Sequence, residues 1–221
     1  CIAGVVKPDN GIIVLNGNVL FDSEKKINLS PQQRKTGLLF QDYALFPNMT
    51  VSQNISVSSN SQDISQINEI ITSFHLNGLE NHYPNQLSGG QKQRCALARM
   101  IASNPEIIML DEPFSALDSF LRWQLEQEVA SVIKEFGKTV LLVSHNRDEV
   151  YRLCNRASII NNGKNEPVRD KHDLYASPRT YNEALLTGCK NILPVEIHYN
   201  SVLIPSLGLS FTPEFIPPDT K

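Results

Sequence analysis

The sequence predicts an α/β fold built on a parallel sheet, and three observations carry this expectation. Two apolar runs, "EIIML" (106–110) and "KTVLLVS" (138–144), each give way to polar residues. Between them Leu125, Val129, Val132, Ile133 and Phe136 form one helical stripe. "KTGLLFQ" (35–41) reads as a further buried strand that delivers a polar side chain at its end. Strand, helix, strand in that order implies a parallel pair with a right-handed crossover. Ligands of such sheets sit beyond the carboxyl ends of the strands. Asp111, Glu112 and His145 fall at those ends.

The remaining elements follow in order. "GIIVLNGNVLFD" (11–22) holds two β-rich runs around Asn16-Gly17, a dipeptide suited to a tight turn, so an antiparallel hairpin is expected. Residues 62–80 place Ile64, Ile67, Ile70, Ile71 and Phe74 at helical spacing, predicting a helix that closes near Gly78. "LSGGQKQR" (87–94) opens another helical pattern with Ser88 as N-cap. Gly137 reads as the end of the helix before "KTVLLVS". "RASIINNGK" (156–164) predicts a strand and turn, and the stretch from Lys171 short helices broken by Pro178. Residues 192–215 switch towards alternation and proline, which is β-like and sets an expected boundary near residue 191.

Composition narrows the function classes. With 221 residues, 41% hydrophobic and 19% charged, the chain can bury one sizeable core. A net charge of -3 lacks the basic excess usual for nucleic-acid binding, so no nucleic-acid partner is expected and any bound anion is held by local geometry. Cys1, Cys95, Cys154 and Cys189 lie far apart, which indicates neither a zinc site nor a disulfide framework. No apolar run approaches the roughly 20 residues that span a bilayer, and no signal-peptide pattern is visible. The first residue is not Met, and "CIAG" has no polar lead-in, so the chain is expected to begin inside an element.

Two stretches carry chemistry. At "LSGGQ", Gly89 and Gly90 allow close backbone approach, and the free N–H groups of the helix start favour an anion. "SGG" alone also reads as an ordinary capped helix. At "IIMLDEP" (107–113), Asp111 at the strand end can hold Mg2+ directly or through water, and Glu112 can polarise a water attacking a phosphoryl group. Paired acids after a strand also occur as a solvated turn. His145 ends its own strand, where a neutral imidazole could contact a γ-phosphate oxygen, whereas His75, His82, His172 and His198 read as structural.

Together these residues resemble a family. "FQDYALFP" with Gln41, "LSGGQ" (87–91), "IIMLDEP", "SALD" (115–118) and "LVSH" (142–145) look like the Q-loop, signature, Walker B, D-loop and H-loop of ABC-transporter nucleotide-binding subunits, in the family's order. The resemblance runs to about residue 191. It implies a P-loop NTPase-like ABC domain over 1–191, with a partial central parallel sheet, an antiparallel β subdomain and a helical subdomain at about 50–100. Residues 192–221 would then begin a C-terminal β-domain. It further implies ATP and Mg2+ as cofactors, Gln41 and Asp111 at the metal, Glu112 orienting or deprotonating water, and His145 at the γ-phosphate. Ser88, Gly89, Gly90 and Gln91 would cap ATP on a second subunit, and Asp118 would couple the two sites of a head-to-tail homodimer. Residues 41–47 and 50–86 would face membrane permease subunits, with an external binding protein acting indirectly. The location would be peripheral, on the cytoplasmic face of the membrane.

One expected motif is missing: no G-x-x-x-x-G-K-[ST] phosphate loop occurs. "GKT" at Gly137–Thr139 is no substitute, because the position five before Gly137 is Val132, inside the amphipathic helix. The family pattern places that loop just before "CIAG", which reads the chain as starting inside its helix. Alone, the chain is expected to fold poorly and not to bind ATP, whereas the intact protein should be an active ATPase. "SPQQRKTGLLFQDYALFPNMTV" resembles oxyanion-importer ATPases, and "LTGCKNIL" (186–193) looks most like molybdate-importer subunits, with sulfate or another anion as the alternative cargo. Two other classes compete: a superfamily ATPase serving DNA repair or translation, and a non-hydrolysing remnant or regulatory module.

Overall fold

Asn16 and Gly17 reverse the chain as expected. The computed structural model describes residues 1–40, 42–59, 64–115, 119–198 and 201–212. β1 (Ile12–Leu15) pairs antiparallel with β2 (Asn18–Asp22), Leu15 facing Asn18 across a two-residue turn. Positive φ angles of 48° at Asn16 and 81° at Gly17 suit a type I′ turn, whose twist matches that of the strands. β3 (Ile27–Asn28) adds a third strand beside β2. Arg34 is 2% exposed and staples this region. It donates to the carbonyls of Leu29 (2.8 Å), Cys1 (2.8 Å) and Ile2 (2.9 Å) and to Oδ1 of Asn28 (2.8 Å).

The expected parallel sheet forms next. β4 (Thr36–Leu39) is followed by α1 (Val51–Ser56), α2 (Ile64–Ser73) and α3 (Gly89–Ala102), then by β5 (Ile107–Asp111). α4 (Ser119–Phe136) leads to β6 (Thr139–Val143), and α5 (Arg147–Leu153) closes a unit running from Cys1 to Leu153. The strand order is β4-β5-β6, all parallel, with Leu39 beside Leu110 and Leu110 beside Leu142. One sheet face, with Leu39, Ile108 and Leu110, enters a core shared with Val51, Ile55, Ile71, Leu97 and Leu125. On β6 the alternate residues Thr139, Leu141 and Val143 are exposed. Gly37 lets α3 approach β4: a Cβ there would stand 2.6 Å from Met100 Cγ. Gly137, at φ 66°, ends α4 as expected.

α2 departs from its expected end. It stops at Ser73 instead of near Gly78, because His75 takes the left-handed conformation (φ 52°). The Leu76 N–H then bonds back to Ile71 O (2.9 Å) and the His75 N–H to Thr72 O (3.0 Å), the pattern of a Schellman cap. Leu76, fully buried, anchors the reversal. Ile64 is exposed, so the buried stripe is Ile67, Ile71 and Phe74.

Two buried amides here predict opposite effects. Asn54 has no exposed surface; it accepts from Phe46 N and donates to the carbonyls of Phe46, Met49 and Thr50. Asn54→Ala should lower unfolding free energy by about 2–3 kcal/mol in urea titrations. Gln93 on α3 is equally buried, but neither its Nε2 nor its Oε1 has a partner among the described residues. Gln93→Met should therefore raise stability, by about 1 kcal/mol in the same assay.

The second unit, Cys154–Lys221, carries short elements. The single strand expected in "RASIINNGK" is split. β7 (Arg156–Ala157) pairs with β10 (Arg169–Asp170), while β8 (Ile160–Asn161) pairs with β9 (Lys164–Asn165) across Asn162-Gly163. α6 (Lys171–Ala176) and α7 (Tyr181–Thr187) flank Pro178 as expected. The largely buried Arg169–Glu183 pair, at 2.7 Å, joins β10 to α7. β11 (Glu196–His198), β12 (Ser201–Ile204) and β13 (Leu209–Phe211) form an antiparallel meander. No described helix is long and apolar enough to cross a membrane.

Candidate functional site

The carboxyl ends of β5 and β6 bring three of the expected residues together. Asp111 is the last residue of β5, and its exposed carboxylate has no hydrogen-bond partner among the described residues. Glu112 follows with φ 44°, an uncommon conformation for a residue with a side chain. Its backbone is held on both sides: the N–H donates to Val143 O (2.9 Å), and the carbonyl accepts from Ser115 N (3.2 Å) and Oγ (3.0 Å). The fixed backbone aims the side chain across to β6, where Glu112 Oε1 meets His145 Nδ1 at 2.9 Å.

That contact assigns the imidazole. A carboxylate accepts, so Nδ1 carries the proton at this contact. In the neutral ring Nε2 is then an acceptor, and so is a phosphate oxygen. The neutral imidazole expected at the γ-phosphate thus has no donor to offer while Glu112 holds it; a proton on Nε2, or release of Nδ1, supplies one.

Ser88 caps α3 as expected. Its Oγ accepts from Gln91 N (3.3 Å), while Gln91 Oε1 accepts from Ser88 N (2.8 Å), a reciprocal capping box. The helix ladder starts with Lys92 N–H to Ser88 O (2.9 Å), leaving the Gly89 and Gly90 amides ahead of it at the positive end of the helix dipole. Gly90 faces α4, where an added Cβ would lie 3.5 Å from Leu125 Cδ1. No described hydrogen bond or ion pair joins Ser88–Gln91 to Asp111, Glu112 or His145. Gln41 and Asp118 lie outside the described residues.

Sequence reasoning missed two anchors. Arg99 of α3 donates to Ala44 O (2.7 Å) and Tyr43 O (3.1 Å) and stacks over Phe46 at 5.3 Å. It thereby grips the loop that follows Gln41. Glu149 of α5 accepts from Ser144 Oγ (2.6 Å) and Asn146 Nδ2 (3.1 Å), the residues on either side of His145. An arginine within the helix that "LSGGQ" opens and a glutamate four residues after a histidine are the only sequence traces of these contacts. Cys95 stays outside the chemistry: burial pushes its thiol up to about 11, so it remains protonated.

An Mg2+ ion fits this donor set. It takes oxygen ligands, and commonly one or two carboxylates plus the phosphates it accompanies. Asp111 offers such a carboxylate at the strand end, without a hydrogen-bond partner among the described residues.

The family model for ABC transporters matches residues 1–115. The chain belongs to this ABC transporter family. An Fe(3+) ions import ATP-binding protein of Haemophilus influenzae is 39% identical, over 89% of this ABC chain and 56% of its own length. A spermidine/putrescine import ATP-binding protein of Nitrosospira multiformis is 37% identical, over 81% and 50%. A sulfate/thiosulfate import ATP-binding protein of Agrobacterium fabrum is 34% identical, over 95% and 62%. The chain thus spans little more than half the length of the curated relatives it matches. Among solved structures, the dimeric post-hydrolysis state of the ATP-binding cassette MJ0796, bound to ADP and Pi, superposes with a TM-score of 0.61. It is 28% identical and covers 76% of this chain and 77% of its own. The expected fold, a parallel sheet with accompanying antiparallel strands, is therefore that of an ABC ATPase cassette.

Proposed function

We propose that this ABC chain is the core of an ATP-hydrolysing subunit that energises import of a small solute, with molybdate as cargo. The observation that carries the reading is the Glu112–His145 pair at 2.9 Å, at the ends of adjacent parallel strands and directly after Asp111. Asp111, with Gln41, would hold Mg2+, which supplies charge neutralisation to the phosphates when bound. Glu112 then orients the attacking water and takes its proton. His145 contacts the γ-phosphate through a ring nitrogen that carries a proton. Ser88, Gly89, Gly90 and Gln91 close over ATP on a second copy of the subunit, with Asp118 coupling the sites. The dimeric ADP-bound cassette of similar fold supports this pairing.

The subunit would sit on the cytoplasmic face of a membrane against permease subunits, fed from outside by a binding protein. The import names of the relatives support that setting. The cargo rests on "LTGCKNIL", which resembles molybdate-importer subunits; sulfate is the alternative, supported by the sulfate/thiosulfate relatives. The domain organisation proposed with it is an ABC domain over 1–191, its helical part at about 50–100, followed from 192 by the start of a β-domain.

The test is uptake by the intact protein reconstituted with its permease. ATP-dependent accumulation of molybdate over sulfate, Fe(3+) and spermidine is expected, and accumulation of one of the others instead overturns the cargo. Absence of ATP hydrolysis by the intact protein would favour the second reading, a non-hydrolysing or regulatory module. The 221-residue chain by itself should give no ATP-binding heat in calorimetry, and micromolar binding would refute that expectation.

A further inference from the structure

His145 is held at its side chain by a single described contact. Its imidazole is 74% exposed and bonds only Glu112 among the described residues. Packing does not hold such a ring, so the backbone on either side decides where it points. One carboxylate controls both sides. Glu149 is 4% exposed; its Oε2 accepts from the Ser144 hydroxyl at 2.6 Å and its Oε1 from Asn146 Nδ2 at 3.1 Å. The contacts close into a ring, because the Asn146 N–H donates to Ser144 Oγ at 3.0 Å. Asn146 Oδ1 in turn accepts from the Asp148 N–H (3.0 Å) and the Glu149 N–H (3.4 Å), fixing the start of α5. Behind this ring stands Arg122 of α4, its Nε 4.0 Å from Glu149 Oε1. A separate pair, Arg152 with Glu126 at 2.6 Å, ties the same two helices without touching residues 144–146.

We propose that Glu149 is a positioning residue for His145, acting through Ser144 and Asn146 to fix the backbone that aims the imidazole. The claim builds on the ATPase reading above. Ser144 and Asn146 carry short side chains that reach a buried acceptor from opposite sides of His145, so losing the acceptor releases both sides at once. The Glu126–Arg152 pair keeps α4 and α5 together, so the loss stays local. If His145 acts on the charge that develops during phosphoryl transfer, its misorientation lowers kcat and leaves ATP affinity nearly unchanged.

Four variants test this: Glu149→Ala, Glu149→Gln, Ser144→Ala and the control Glu126→Gln. Amide hydrogen exchange and steady-state hydrolysis are both measured on the intact protein. Glu149→Ala should speed exchange across residues 144–149 about tenfold relative to β5. It should also lower kcat about 10–100-fold with KM for ATP within about threefold. Glu149→Gln, which keeps an acceptor, should restore kcat to within about fivefold, and Ser144→Ala should fall between. Unchanged exchange at 144–149, or a kcat loss no larger than that of Glu126→Gln, overturns the proposal. If Glu149→Ala does not fold, Ser144→Ala decides on the same two readouts. If the unsubstituted protein does not hydrolyse ATP, the ATPase reading fails by itself, and the exchange comparison alone decides whether Glu149 holds the loop.

Discussion

Glu112→Gln should lower ATP turnover by the intact protein about 10²–10⁴-fold while leaving KM for ATP within about threefold. An amide cannot take the proton of the attacking water, so the loss falls on the chemical step. Binding should be spared, because the carboxylate proposed for the metal is that of Asp111, which has no hydrogen-bond partner among the described residues. The geometry should survive as well. Glutamine offers an acceptor where Glu112 Oε1 meets His145 Nδ1, and the backbone bonds to Val143 and Ser115 do not involve the side chain. Unfolding free energy should therefore move by no more than about 0.5 kcal/mol. Phosphate release, ATP calorimetry and urea titration separate the three expectations. Turnover within threefold of the unsubstituted protein would remove Glu112 from the proton-transfer role.

Arg34→Ala should produce the largest loss of stability, about 3–5 kcal/mol by urea titration. The guanidinium is 2% exposed and serves four acceptors, three of them main-chain carbonyls. Removing it strands those acceptors and opens a void beside Gly4, where a Cβ would stand only 2.8 Å from Arg34 Nε. Arg34→Lys should recover less than half of the loss, since a point-like ammonium cannot reach acceptors spread around a planar fork. A loss below about 1 kcal/mol for Arg34→Ala would mean that the staple is not formed in solution.

Local chemistry made the first strands and the main helix start legible. Asn16-Gly17 supplies two residues that tolerate positive φ, and Ser88 with Gln91 supplies a reciprocal cap, so neighbours in sequence suffice to specify each. β5, α4 and β6 were legible for a similar reason: their apolar periods differ, and each run is long enough to show which period it follows. The end of α2 was not, because the signal sought was glycine while His75 takes the left-handed turn under the pull of Leu76 into the core. Of the site, Asp111, Glu112 and His145 could be placed at strand ends, but the pairing of Glu112 with His145 depends on register between strands over 30 residues apart. Arg99 and Glu149 leave almost no trace in the pattern. Their partners are backbone carbonyls and small side chains whose proximity exists only after folding.

The grip of Arg99 on residues 43–46 has a mechanical consequence. Arg99 lies eleven residues beyond Ser88 on one continuous helix, a span of about 16 Å at 1.5 Å per residue. The loop is clamped at one end of this rod by the guanidinium and again by Asn54 of α1. Phe46, 46% exposed, is the loop's outward handle. Residues 43–46 are thus fastened to the same helix whose start carries Ser88, Gly89 and Gly90, so the two segments share one element.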